Sequence, residues 1–304
     1  MSATLSTAEP AAVPVTATKT RHSRNHRRSV WWWLGFLLLV VWTIGTIFPV
    51  LSIFLLSVRG TQDVYNHPLG LSGALHWGNY SEAWNGAPGG TAFYHYLINS
   101  VVSVVAALLI AIVLGTVTSY ALVRNTSPGK TPLLLRVFVI ALVFPLVVLV
   151  IPIFGLLDQA ALLNSPAAIG VVYGVLACPT VVLITYSAFL EFPEELIDAG
   201  NLDGLSEWGV FVRLVLPLNR GPIAACLVLT MIFVWGEAQL GIIALQQAQS
   251  KTLAVGLLGL QGQYFTNQGV LFSGLALATL PILVVYLIMQ KFIVRGLALG
   301  GALR

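Results

Sequence analysis

Six of the chain's eleven acidic side chains, Glu191, Glu194, Glu195, Asp198, Asp203 and Glu207, fall within one short stretch. Glu237 stands alone in a long apolar run, beside Trp235 and Gln239. Neither grouping has the form of a covalent-chemistry site. His22, His26, His67, His76 and His95 lack zinc-type spacing, so no metal site is expected. No G-x-S-x-G or H-E-x-x-H occurs. Gly129-Lys130-Thr131 matches the end of a phosphate-binding loop, G-x-x-x-x-G-K-[ST], but Arg124 occupies the place of its first glycine and no strand is expected before it. The chemistry on offer is noncovalent: an acid-rich contact segment, and one carboxylate in apolar surroundings.

The elements that must position these groups follow from composition. Hydrophobic residues make up 57% of the 304 and charged residues 9%, against about 25% charged in soluble domains. A soluble fold could not cover its surface with so few charges, so the expected solvent is lipid. Long apolar runs occur at Trp31–Val58, Leu97–Val123, Leu133–Leu157, Pro166–Leu190, Pro222–Leu245 and Val270–Val294. Each reaches the roughly 20 residues that a helix needs to cross a hydrocarbon core. Prolines 49, 145, 152, 179 and 281 fall inside these runs, which membrane helices tolerate where neighbours satisfy the freed carbonyls. Residues 1–30, rich in Ala, Thr, Ser, Pro and Arg, read as a disordered tail. Cys178 and Cys226 read as small packing residues within the spans.

Lysine and arginine set the expected orientation. With a cytoplasmic amino terminus, thirteen of the fifteen basic residues face the cytoplasm and only Arg59 and Lys251 lie outside. That split obeys the positive-inside rule and places both termini in the cytoplasm. The scattered charges form no stripe along which nucleic acid could track. Trp31, Trp32 and Trp33 suit an interfacial anchor facing membrane lipid.

The acid-rich stretch then lies on the inner face, where basic residues are the rule. A solvated loop is the plain reading, and three details oppose it. Pro193 followed by Glu194 and Glu195 makes a helix start, with acids complementing the dipole. Leu196, Ala199 and Leu202 recur every three residues beside Gly200, and Gly204 supplies a stop. A short helix with one small apolar face and acidic flanks is shaped to enter a partner's groove.

The segment from Phe192 to Gly204, closing with Leu214-Val-Leu216-Pro217, resembles the EAA loop of binding-protein-dependent ABC importer permeases, E-A-A-x3-G-x9-I-x-L-P. Asp198, Ala199 and Gly200 stand at the E-A-A places, Gly204 at the glycine, and Leu216-Pro217 at the end. Departures are Asp for Glu at 198, Gly for Ala at 200 and Leu for Ile at 214. Asn99-Ser100, Tyr120-Ala-Leu-Val-Arg124, Trp235-Gly236-Glu237, Lys251-Thr-Leu-Ala-Val-Gly256 and Gly296–Ala302 are similar to the MalG-like carbohydrate branch, which commonly carries Asn where Gly236 stands.

The resemblance implies an all-α polytopic fold of six transmembrane helices with a short cytoplasmic coupling helix, the type I importer permease fold. Residues 31–304 would form the permease domain and 191–221 its coupling loop. Pro193, Glu195, Leu196, Asp198, Ala199, Gly200, Leu202, Asp203, Gly204, Leu216 and Pro217 would meet the ATPase. The implied partners are a second homologous permease, two copies of a cytoplasmic ATPase and an extracytoplasmic solute-binding protein. No cofactor is expected on this chain; ATP and Mg would be handled by the ATPase. The implied function is import of a sugar or sugar derivative across the cytoplasmic membrane, with no enzymatic step in this subunit. A non-sugar cargo or an ion-gradient-driven transporter are the rival readings. Trp235, Glu237 and Gln239 either line the cargo path or, in the case of Glu237, lock span five to a neighbour; the sequence leaves both open.

Overall fold

In the computed structural model, residues 30–67, 73–86, 91–125, 131–259 and 267–301 are described, the last of these without side chains from 291 onward. The tail before residue 30, the Gly129-Lys130 turn and Ala302 lie outside the described residues.

The first apolar run forms α1 (Val30–Ser57), which accommodates Pro49. The chain up to Pro49 is a unit by itself, in which Trp31, Trp42 and Ile44 are exposed, as a lipid-facing helix requires. The rest of the chain, from Val50, forms the second unit. After α1 come the short helices α2 (Thr61–Asn66) and α3 (Gly78–Asn85). Asn79 on α3 donates from Nδ2 to the carbonyls of Ser57 and Arg59, both at 2.9 Å, satisfying backbone freed where the first span ends.

Next come α4 (Phe93–Asn125) and, after a turn, α5 (Thr131–Val143) and α6 (Leu146–Gln159). The single third span expected at Leu133–Leu157 is thereby corrected to two helices bent by 93°. Pro145 causes the break: it disfavours helical backbone at Phe144, lacks an N–H, and adopts extended geometry (φ −65°, ψ 134°) as the N-cap of α6. Pro152, Pro179 and Pro281, by contrast, sit within α6, α7 and α14 (Gln268–Gly301). Helix α7 (Pro166–Leu190) matches its apolar run to the residue, because Ser165 caps it by accepting from the N–H of Ala168 and Pro166 occupies the first turn.

The acid-rich loop contains α8 (Glu194–Leu202), α9 (Glu207–Val210), a π-helical turn (Phe211–Val215) and α10 (Leu216–Leu218). It bends by 77° into α11 (Arg220–Gly236). The fifth run also departs from expectation: the helix stops at Gly236, the chain turns extended at Glu237, and α12 (Gln239–Ala244) follows. A short 3-10 turn (Ala248–Ser250) and α13 (Leu253–Gly259) come next among the described residues, ahead of α14. Four described helices are long and apolar enough to cross a membrane, and six spans result when each bent pair is one.

The core is a close pairing of α4 and α7 that small residues permit. A Cβ on Gly174 would lie 2.7 Å from the Ala107 carbonyl oxygen, and one on Gly170 only 2.8 Å from Cα of Ser103. Farther down, Gly115 admits Val181. Hydroxyls then pin the pair: Ser103 donates to the Pro166 carbonyl at 2.7 Å, and Ser119 lies 2.6 Å from the Thr185 hydroxyl. In lipid, backbone approach and interhelical hydrogen bonds do the work that apolar burial does in water. Cys226 packs fully buried beside Ala111, Ala177 and Val181, as its reading as a packing residue expects.

Candidate functional site

The acid-rich loop folds as a small unit with its own core. Helix α8 begins at Pro193 in extended geometry, with Glu194 and Glu195 in its first turn, and ends at Gly204, whose φ of +83° is the left-handed geometry that glycine adopts without penalty. The stop is a Schellman motif: Leu205 N–H donates to the Gly200 carbonyl and Gly204 N–H to Asn201, both at 3.0 Å.

This local geometry decides which face looks out. Ile197 and Gly200 are buried, joining Phe189, Val210, Phe211 and Val215 in the loop's core. Leu196 is 43% exposed and Leu202 90% exposed; Pro193, Glu195, Asp198, Ala199, Asp203 and Gly204 are exposed as well. The Leu196–Ala199–Leu202 stripe therefore faces outward between acids, and Gly200 belongs to the opposite, inward side. Leu216 is half-buried against the same core, while Pro217 is exposed.

One arrangement here was not anticipated. Glu207, at the start of α9, accepts from Arg124 Nη2 at Oε1 and from the Tyr120 hydroxyl at Oε2, each at 2.8 Å. Its backbone is set by Ser206, whose hydroxyl caps α9 through Gly209 N–H. Hydrogen bonding first to Arg124 and then to Tyr120 holds the Glu207 carboxyl below its usual range. The Tyr120 ring also packs 4.8 Å from Phe211 and edge-on to Phe189. Both Tyr120 and Arg124 belong to a segment that carries the family resemblance, but nothing in the spacing pairs them with an acid more than eighty residues away.

The path candidates occupy the break in the fifth run. Glu237 is buried, accepting from the Tyr173 hydroxyl and, at 2.7 Å, from the N–H of Gln239, the first residue of α12. Trp235 is buried too, and its indole N–H donates to the Ala278 carbonyl at 3.1 Å. Gln239 is exposed. An open groove of about 640 Å³ runs beside the acid-rich loop between α4 and α11, but its lining is apolar except for Thr116 and Arg220 and does not suit a hydroxyl-rich solute. No cluster of potential metal ligands occurs among the described residues.

Elsewhere, two segments 150 residues apart in the chain meet. Asn99 Nδ2 donates to the carbonyls of Gln249 and Lys251, at 2.6 and 3.0 Å, and the Ser100 hydroxyl accepts from Leu253 N–H at 2.8 Å. Gly256 leaves room for the Tyr96 ring, which would lie 2.5 Å from a Cβ there. Asn99-Ser100 and Lys251–Gly256 are thus one structural joint.

A polytopic helical membrane protein with a folded, outward-facing loop helix is the class these features define. The protein-family profile described as the inner membrane component of binding-protein-dependent transport systems matches residues 112–299, and the chain belongs to that family. It is 29% identical, over 86% of both chains, to the diacetylchitobiose uptake system permease protein NgcG of Streptomyces coelicolor. It is 27% identical, over 84% of this chain and 90% of the relative, to the arabinooligosaccharides transport system permease protein AraQ of Bacillus subtilis. In fold it is similar, with a TM-score of 0.72 over 89% of this chain and 98% of the other, to a chain of a bacterial ABC transporter involved in the import of the acidic polysaccharide alginate, at 16% identity. The helical importer permease fold expected from the sequence is the fold observed, and the chain is an inner-membrane transport component.

Proposed function

We propose that this subunit carries a sugar or sugar derivative into the cell by alternating access, energised by a separate ATPase that binds α8. Both termini would be cytoplasmic, a second homologous permease would complete the path, and an extracytoplasmic binding protein would deliver the cargo. ATP and Mg would be bound by the two ATPase copies. Oligosaccharide permeases among the relatives support the cargo class. The observation that carries the ATPase reading is the outward face of α8: exposed Leu196 and Ala199 flanked by Glu195, Asp198 and Asp203. An apolar stripe on a helix whose other face already packs on its own loop is available for a partner, and its acids select a basic rim.

The test is Asp198→Lys in membranes expressing the whole complex. Expected is a chain that inserts normally but no longer co-purifies with the ATPase. Co-purification at wild-type yield, with undiminished cargo-stimulated ATP hydrolysis, would refute the assignment. Glu237→Gln separates the roles of the intramembrane acid: a path role lowers uptake while complex yield holds, whereas loss of the assembled protein marks a purely structural one.

A further inference from the structure

We infer that the Tyr120–Glu207–Arg124 network is the connection through which movement of the coupling loop enters the membrane, with Glu207 as its positioning residue. The inference rests on the ATPase-driven function proposed above.

The remaining contacts between the loop and α4 are largely apolar. Tyr120, Val123, Phe189, Phe192 and Phe211 pack together around Val210 and Val215. Such contacts hold surfaces together but are non-directional. Glu207 adds direction. Both carboxylate oxygens are engaged by groups one turn apart on α4, a two-point, charge-assisted attachment that fixes angle as well as distance. The ion pair is partly open to solvent, Glu207 being 58% exposed, so its contribution to stability is small. Geometry is what it supplies.

What α4 receives, α7 must follow. Gly115, Gly170 and Gly174 bring the two helices into near backbone contact along their length, and Ser119 donates to the Val182 carbonyl at 3.0 Å just before Tyr120. Close-packed interfaces of this kind move as units rather than deform continuously. Two turns into α7, Tyr173 holds Glu237 at the break between α11 and α12. A push on the loop thus reaches a rigid two-helix lever whose far part touches the one deep carboxylate among the described residues.

The experiment uses the reconstituted complex with spin labels on Asn201→Cys in α8 and Ile98→Cys at the outer end of α4, in a background lacking Cys178 and Cys226. The probe is a non-hydrolysable ATP analogue with Mg. In the otherwise unmodified protein both labels should respond. With Glu207→Gln, which keeps the side chain's size, the α8 label should still respond and the α4 response should be lost. Tyr120→Phe should weaken it, and the charge swap Arg124→Glu with Glu207→Arg should restore it. An undiminished α4 response in Glu207→Gln overturns the connection. Loss of the ATPase from that variant also overturns it, by making Glu207 a docking residue. Failure of the α8 label to respond in the unmodified complex overturns instead the ATPase-driven reading on which the connection rests.

Discussion

A Cβ on Gly200 would stand 2.8 Å from Cδ1 of Leu214, so the missing methyl on α8 and the side chain entering from the π-helical turn occupy one space. These are two of the three positions at which the loop departs from E-A-A-x3-G-x9-I-x-L-P. They form a single packing unit rather than two separate weakenings. Gly200→Ala should gain up to about 1 kcal/mol of helix propensity, offset by a shift of the half-buried, flexible Leu214 tip. Its thermal unfolding in detergent should stay within about 1 kcal/mol of wild type. Gly200→Val should fall well below it, since Val210 Cγ2 and Leu205 Cδ1 already stand 3.3 and 3.5 Å from a Cβ.

Gly170→Ala should be far more damaging than Gly200→Ala. Its new methyl meets backbone of Ser103, which cannot rotate away, so α4 and α7 must part. A loss of roughly 1–3 kcal/mol is expected, read as a lowered unfolding temperature. Gly155→Ala on α6, with nothing within 4 Å of its Cβ, is the control and should be neutral or better.

Tyr173→Phe removes the hydroxyl that serves buried Glu237. Leaving that acid short of a donor should cost about 1–3 kcal/mol. Because the two side chains share one bond, Tyr173→Phe and Glu237→Gln should be strongly non-additive in a double-mutant cycle of unfolding. Additivity would mean that the pair does not interact.

Gly204→Ala forces an L side chain to a φ of +83° and should lower the stability of the loop by about 1 kcal/mol. Limited proteolysis between α8 and α9 should speed up accordingly. Substituting Gly209, which has no positive φ and only ordinary contacts, should not have this effect.

The Glu207 attachment has a defined pH dependence. Its carboxyl titrates lower in the folded protein than the ordinary 4.5, so its contribution is complete above 4.5 and fades as pH falls through the folded value. The small difference in unfolding temperature between wild type and Glu207→Gln should therefore be constant from neutral pH to about 4.5 and close below it. A difference that closes nearer pH 6 would assign the effect to another group.

What the sequence determined by itself is everything that local chemistry and the solvent dictate. Length and apolarity of the runs made spans, because backbone in lipid must bond internally. Pro193, the two following acids and Gly204 set both ends of α8, and Ser165-Pro166 set the start of α7, because caps are satisfied within a turn of the chain. The tertiary structure alone decided matters that depend on atoms distant along the chain. It chose Ile197 and Gly200 as the inward face of α8, leaving the Leu196 stripe outside, since burial depends on what lies opposite. It made Pro145 a 93° bend while Pro49, Pro152, Pro179 and Pro281 stayed within helices, since only some broken carbonyls find new partners. It joined Asn99 to Lys251, Tyr173 to Glu237, and Tyr120 and Arg124 to Glu207. Periodicity carries no trace of such pairs, because a hydrogen bond between helices is fixed by where two backbones pass, not by spacing along either one.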